Sequence, residues 1–99
     1  DAARPSNIVY DDTPIHVHMA RVKEQLGEKG RVRFRDLFRP GMHKSALVGI
    51  FLAILELVRH RQARAEQGHL FAELWVLPGP EADGQIDAAA VDQYEHGQE

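Results

Sequence analysis

The sequence predicts a small α+β domain, three helices followed by a β-hairpin, and three observations carry that expectation. Lys44 to Arg59 is the longest apolar run and is too long for a strand. Ile15, Met19, Val22 and Leu26 recur at i, i+4, i+7 and i+11, the spacing of one helix face. Phe71 to Leu77 is a β-rich stretch preceded by turn residues and a second alternating stretch.

Residues 1–12 form a lead-in arm containing Pro5, Ser6, Asn7 and the pair Asp11-Asp12. An extended arm is expected there, with a short strand over Ile8–Tyr10 as the alternative. Thr13-Pro14 starts the first helix. Thr13 can cap it, and Pro14 suits the first helical position, where its missing N–H has no partner to lose. That helix ends near Gly27 or Gly30. Arg31-Val32-Arg33-Phe34 alternates charged and apolar residues and predicts a very short strand. Asp36-Leu37-Phe38 opens a short second helix that Pro40-Gly41 terminates.

The third helix runs from about His43 to Arg61. At 3.6 residues per turn, Leu57, Ile50, Ile54, Leu47, Val58, Phe51, Leu55, Val48 and Leu52 sweep an apolar arc about 220° wide. A surface helix usually carries a stripe of roughly 100°. The excess means burial on two sides or one side offered to another molecule. A membrane span needs about 20 apolar residues, and Lys44 and Glu56 to Arg61 bracket too short a run.

Ala63 to Glu66 alternates, and Gly68 in Gln67-Gly68-His69 is free to take positive φ. Phe71 to Leu77 is then the last strand, with Ala72, Leu74 and Val76 on one face and Phe71, Glu73, Trp75 and Leu77 on the other. A hairpin directly after the third helix is the layout of a winged helix, which assigns residues 13–77 to that domain. Residues 78–99 form an acidic tail expected to be disordered, with a weak helix over Ile86–Tyr94 as the alternative.

The 99 residues suit one domain, and the absence of cysteine excludes disulfides and thiolate metal sites. The net charge of -3 hides an asymmetry. Residues 1–77 hold all 12 Lys and Arg against 9 acids, and residues 78–99 hold 6 acids alone. A body charge of only +3 is weak grounds for nucleic acid, which asks for a concentrated basic stripe. The chain opens Asp1-Ala2-Ala3-Arg4 and reads as a domain of a longer protein.

Phe34-Arg35-Asp36-Leu37-Phe38, the run Val48-Gly49-Ile50-Phe51-Leu52-Ala53-Ile54-Leu55-Glu56-Leu57, Gln67 and Phe71-Ala72-Glu73-Leu74 together resemble one family. It is the C-terminal winged-helix domain of bacterial segregation and condensation protein A, the kleisin of the bacterial condensin complex. The resemblance covers about Thr13 to Leu77. Pro14, His16 and His18 stand where that family has acidic residues, and the turn Arg39-Pro40-Gly41-Met42-His43 is atypical. The resemblance implies a non-enzymatic domain that docks on the ATPase head of an SMC protein. It also implies a second accessory protein, bound through parts of the parent absent here. The implied place is the cytoplasm, on the nucleoid, with no membrane.

The residues agree on their own terms. A groove-reading helix needs Arg, Lys, Asn or Gln at its exposed positions, and the middle of the third helix has none, so sequence-specific DNA binding is not expected. Leu47, Phe51, Ile54 and Val58 are expected to face the core, with Gly49 allowing a close helix approach. Val48, Leu52 and Leu55 are the surplus flank and the candidate partner surface, with Glu56 and Arg59 at its rim, unless the lead-in or tail covers it. Trp75 joins the candidates as an outward strand residue. His16 and His18 diverge on a helix, and His43, His60, His69 and His96 lack ligand spacing, so no metal is expected. No nucleophile with a placed base and no Gly-rich phosphate loop is present, so neither enzyme activity nor a cofactor is expected. Two other functions remain open: a DNA-binding winged-helix regulator domain, and a homodimerisation module using the same flank.

Overall fold

The packing of one helix pair against a three-stranded sheet can be followed in a computed structural model, which describes residues 12–84 and 91–92. The expected strand at Ile8–Tyr10 lies outside the described residues, as do the residues of the alternative tail helix other than Val91 and Asp92. Helix α1 spans Ile15–Lys29, strand β1 Val32–Arg33, helix α2 Lys44–Arg59, strand β2 Ala63–Gln67 and strand β3 Leu74–Pro78. The sheet is antiparallel in the order β1-β3-β2.

Helix α1 buries the predicted face: Ile15, Met19, Val22 and Leu26 are all in the core. It ends where Gly30 takes a φ of 80° and returns its N–H to the Leu26 carbonyl at 2.9 Å. The N-cap position falls on Pro14 rather than Thr13, and Pro14 has no side-chain group to cap with. The expected second helix is a single 3₁₀ turn, Phe34–Leu37, so the described residues hold two α-helices rather than three. The sequence leaves it little room. β1 ends one residue before it, and Phe38 is already extended with φ -116° and ψ 143°.

Helix α2 is capped by His43, whose Nδ1 accepts the Ser45 N–H at 3.1 Å. It closes in a Schellman motif. The Arg61 N–H reaches the Val58 carbonyl at 3.0 Å and the Gln62 N–H reaches that of Leu57 at 2.8 Å. That motif needs a left-handed residue, and here Arg61 takes it, with φ 62°. A non-glycine residue in this region costs about 1–2 kcal/mol, and glycine gives back roughly 0.5–1 kcal/mol in backbone entropy. Arg61→Gly is therefore expected to stabilise the domain by about 0.5–1 kcal/mol, read from urea denaturation midpoints.

The last strand begins three residues later than predicted. Phe71 has φ 67° and sits in the connecting turn, where a strand residue cannot be. The turn is braced by Ala72 N–H to His69 carbonyl at 2.9 Å and by Gln67 Nε2 to Ala72 carbonyl at 2.8 Å. Gly68, although free to take positive φ, is not among the residues that adopt it. The strand itself faces as predicted at its centre, with Val76 fully buried and paired to Val32 and Ala65.

The first residues of the acidic segment return to the α2–β2 connection. The Gly79 N–H bonds the Gln62 carbonyl at 2.9 Å and the Glu81 N–H bonds the Arg61 carbonyl at 2.8 Å. Further along, Val91 is 2% exposed and belongs to the core.

Candidate functional site

Which side of α2 faces inward decides what it can offer. Its buried residues are Ala46, Gly49, Ile50, Ala53, Ile54, Glu56 and Leu57. Leu47, Phe51, Ile54 and Val58 were the expected core face, and only Ile54 is fully inside. Phe51 is 46% exposed and Val58 39%. The helix is turned by about 100°, one residue's step, from the expected orientation.

The reason lies in the small residues. A Cβ on Gly49 would meet His18 of α1 at 2.9 Å (Cδ2) and 3.0 Å (Nε2). His18 is itself buried, so α1 lies directly over Gly49. Ala46 and Ala53 share the buried side. Close approach of two helices is worth many small dispersion contacts, and these outweigh the pull of a larger side chain that would hold the helices apart. Ile50, Ile54 and Leu57 share that inward side, and Val48, Phe51, Leu55 and Val58 are left outside.

Val48 (49% exposed), Phe51, Leu55 (47%) and Val58 lie at i, i+3, i+7 and i+10 and form a continuous strip. At 1.5 Å per residue the strip is about 15 Å long. It continues off the helix. Phe34 of the 3₁₀ turn meets Phe51 edge-on, with centroids 6.5 Å apart and planes at 87°, and Phe38 lies 5.1 Å from Phe34. Both are half-buried and pack against the core, so the strip's aromatic end has a rigid backing. Val48, Phe51 and Leu55 each keep close to half of their surface open to solvent.

The proposed site residues divide accordingly. Val48 and Leu55 lie on the open strip. Leu52 is half-buried and packs against the core. Glu56 is 6% exposed and on the inward side of the helix, so it is not on an exposed rim. Its carboxylate is held by Arg59 Nη1 at 3.4 Å and His60 Nε2 at 3.3 Å. Arg59 is exposed. Trp75 is on the outer face of the sheet but half-buried, with the Arg31 guanidinium stacked 3.9 Å from its ring centroid. Phe51 and Val58 are missed by sequence reasoning. The signal that finds them is the set of small residues, Ala46, Gly49 and Ala53, which mark the close helix contact and so the opposite face.

The densest basic run is answered within the chain. Arg31 stacks on Trp75, Arg33 Nε pairs with Asp36 Oδ2 at 2.8 Å, and Arg35 Nη2 pairs with Glu73 Oε1 at 3.3 Å. Among the described residues no three metal-ligating side chains of His, Cys, Asp or Glu come together. No helix among them is long and apolar enough to cross a membrane.

Fold and surface together define a small α+β domain that keeps a backed apolar helix strip on its outside. Its sequence matches the family model described as "Segregation and condensation protein ScpA" over residues 7–78, and the chain belongs to that family. Segregation and condensation protein A of Bacillus subtilis (strain 168) is 36% identical over 72 residues, which are 72% of this chain and 28% of that protein. The protein of the same name from Bacillus cereus (strain B4264) is 38% identical over 72 residues, 72% of this chain and 29% of that protein. That from Brevibacillus brevis is 31% identical over 69 residues, 70% and 27% respectively. The chain therefore spans less than a third of the length of these relatives. The family is a structural one and not one of enzymes.

Proposed function

We propose that this chain is the C-terminal winged-helix domain of a condensin kleisin and docks on the ATPase head of an SMC protein through the open side of α2. The observation that carries the reading is the strip Val48-Phe51-Leu55-Val58, exposed along a helix whose other side is fully packed. Each large apolar side chain moved from water into a protein contact gains about 1.5–3 kcal/mol, whereas a phosphate-lined groove returns nothing for it. The element order supports the winged-helix reading, with the 3₁₀ turn standing for its second helix and β2–β3 for its wing. Family membership supports the role in chromosome segregation and condensation. A cytoplasmic, nucleoid-associated place and a second accessory protein, bound by other parts of the parent, go with that reading.

The DNA-binding alternative is disfavoured by the three arginines already engaged by Trp75, Asp36 and Glu73. The test is calorimetric titration of the 99-residue chain against the SMC head of its own organism, beside a low-salt mobility shift with duplex DNA. Saturable head binding without a DNA shift is expected. A shift that weakens with salt, with no head binding, overturns the docking reading in favour of DNA. Concentration-dependent dimers in light scattering, again with no head binding, overturn it in favour of a homodimer.

A further inference from the structure

The N-cap position of helix α1, held by Pro14, contributes no side-chain cap bond, and the first turn carries no acidic residue. A helix start leaves backbone N–H groups unsatisfied and concentrates a partial positive charge, which a carboxylate answers best. That carboxylate arrives from 76 residues further along the chain. Asp92 Oδ1 accepts the His16 backbone N–H at 3.1 Å, and Asp92 Oδ2 lies 2.5 Å from His16 Nδ1. One residue earlier Val91 is 2% exposed within the core, in the same buried cluster as Ile15. Val91 and Asp92 lie beyond residues 7–78, the stretch that matches the family.

We propose that Val91 and Asp92 act as a strap: Val91 plugs into the core and Asp92 supplies the N-cap of α1. The two contacts act together. The plug fixes where the carboxylate sits, and the carboxylate in turn holds Val91 at its place in the core. Release of the strap uncovers an apolar socket and a helix N-terminus at once, so it opens as one step. The strap is independent of what the open side of α2 binds.

The test uses the complete 99-residue chain, labelled with nitrogen-15, and reads amide hydrogen exchange at His16 against Ala53 in the middle of α2. Asp92→Ala should speed His16 exchange about fivefold or more, the change a lost N-cap brings. Asp92→Asn should fall between, because it keeps an acceptor and loses the charge. Val91→Ser should speed His16 as Asp92→Ala does, and Glu81→Ala, an exposed acid of the same segment, should change nothing. Ala53 should keep its protection in the Asp92 variants. His16 exchange unchanged in both Asp92 variants overturns the proposal. So does an equal acceleration at His16 and Ala53, which marks general loosening without a local cap.

Discussion

Leu55→Lys and Phe51→Lys, singly, will each weaken docking on the SMC head by about 30-fold and leave far-UV circular dichroism native. Both side chains are about half exposed in the free domain, so neither replacement buries a charge or opens a cavity. In the proposed docked state the same position would be covered, and a lysine there would forfeit apolar burial and lose its own hydration. Central interface residues of this kind cost about 2 kcal/mol or more on truncation, which corresponds to the stated factor. Leu52→Lys is the poorer probe, because Leu52 packs against the core and its loss mixes folding with binding. Leu57→Lys is the contrast: Leu57 is fully buried, and that variant should not fold. Native affinity in folded Phe51→Lys and Leu55→Lys would remove the strip from the interface.

Gly79→Ala will destabilise the domain by about 3 kcal/mol, a loss of more than about 12 °C in Tm for a domain of this size. A Cβ at Gly79 would lie 2.4 Å from the Arg61 carbonyl oxygen, 2.8 Å from the Arg61 carbonyl carbon and 2.9 Å from the Ala63 nitrogen. These are backbone atoms, so no side chain can swing away. The strand end must move, and with it go the Gly79–Gln62 and Glu81–Arg61 hydrogen bonds. Gly27→Ala gives the opposite sign. Nothing lies within 4 Å of a Cβ there, and within a helix alanine is favoured by about 1 kcal/mol. Thermal melts of both variants check the pair, and equal melting temperatures would show that the β3 end tolerates displacement.

The two glycines illustrate what the sequence could carry. Pro78-Gly79-Pro80 reads as the end of a strand, which is right, but nothing in those three residues says that the α2–β2 connection lies so close that an added Cβ would come within 2.4 Å of the Arg61 carbonyl oxygen. Period and spacing identify α1, its buried face and the central residue of β3, because each depends only on neighbours along the chain. The orientation of α2 depends on another helix. Apolar bulk alone points to Phe51 and Val58 as core, whereas contact with α1 selects the side carrying Gly49 and Ala53. The left-handed positions at Arg61 and Phe71 escape notice because neither is glycine. The α1 cap at Asp92 is out of reach of any local rule, 76 residues from the amide that it serves. Of the candidate interface residues, Val48 and Leu55 are legible as surplus. Glu56 is misplaced because a charge is assumed to face water, while Arg59 and His60 hold this one on the inward side.

The pairing of Arg33 with Asp36, of Arg35 with Glu73 and the stacking of Arg31 on Trp75 have a kinetic consequence. Cations already matched by nearby carboxylates project little long-range field, and a partner gains little acceleration from such a surface. In the proposed docking, these three arginines are expected to add little to the unsteered rate of about 10⁵–10⁶ M⁻¹s⁻¹. The affinity of the proposed complex is then expected to follow its lifetime, set by how slowly an apolar strip lets go.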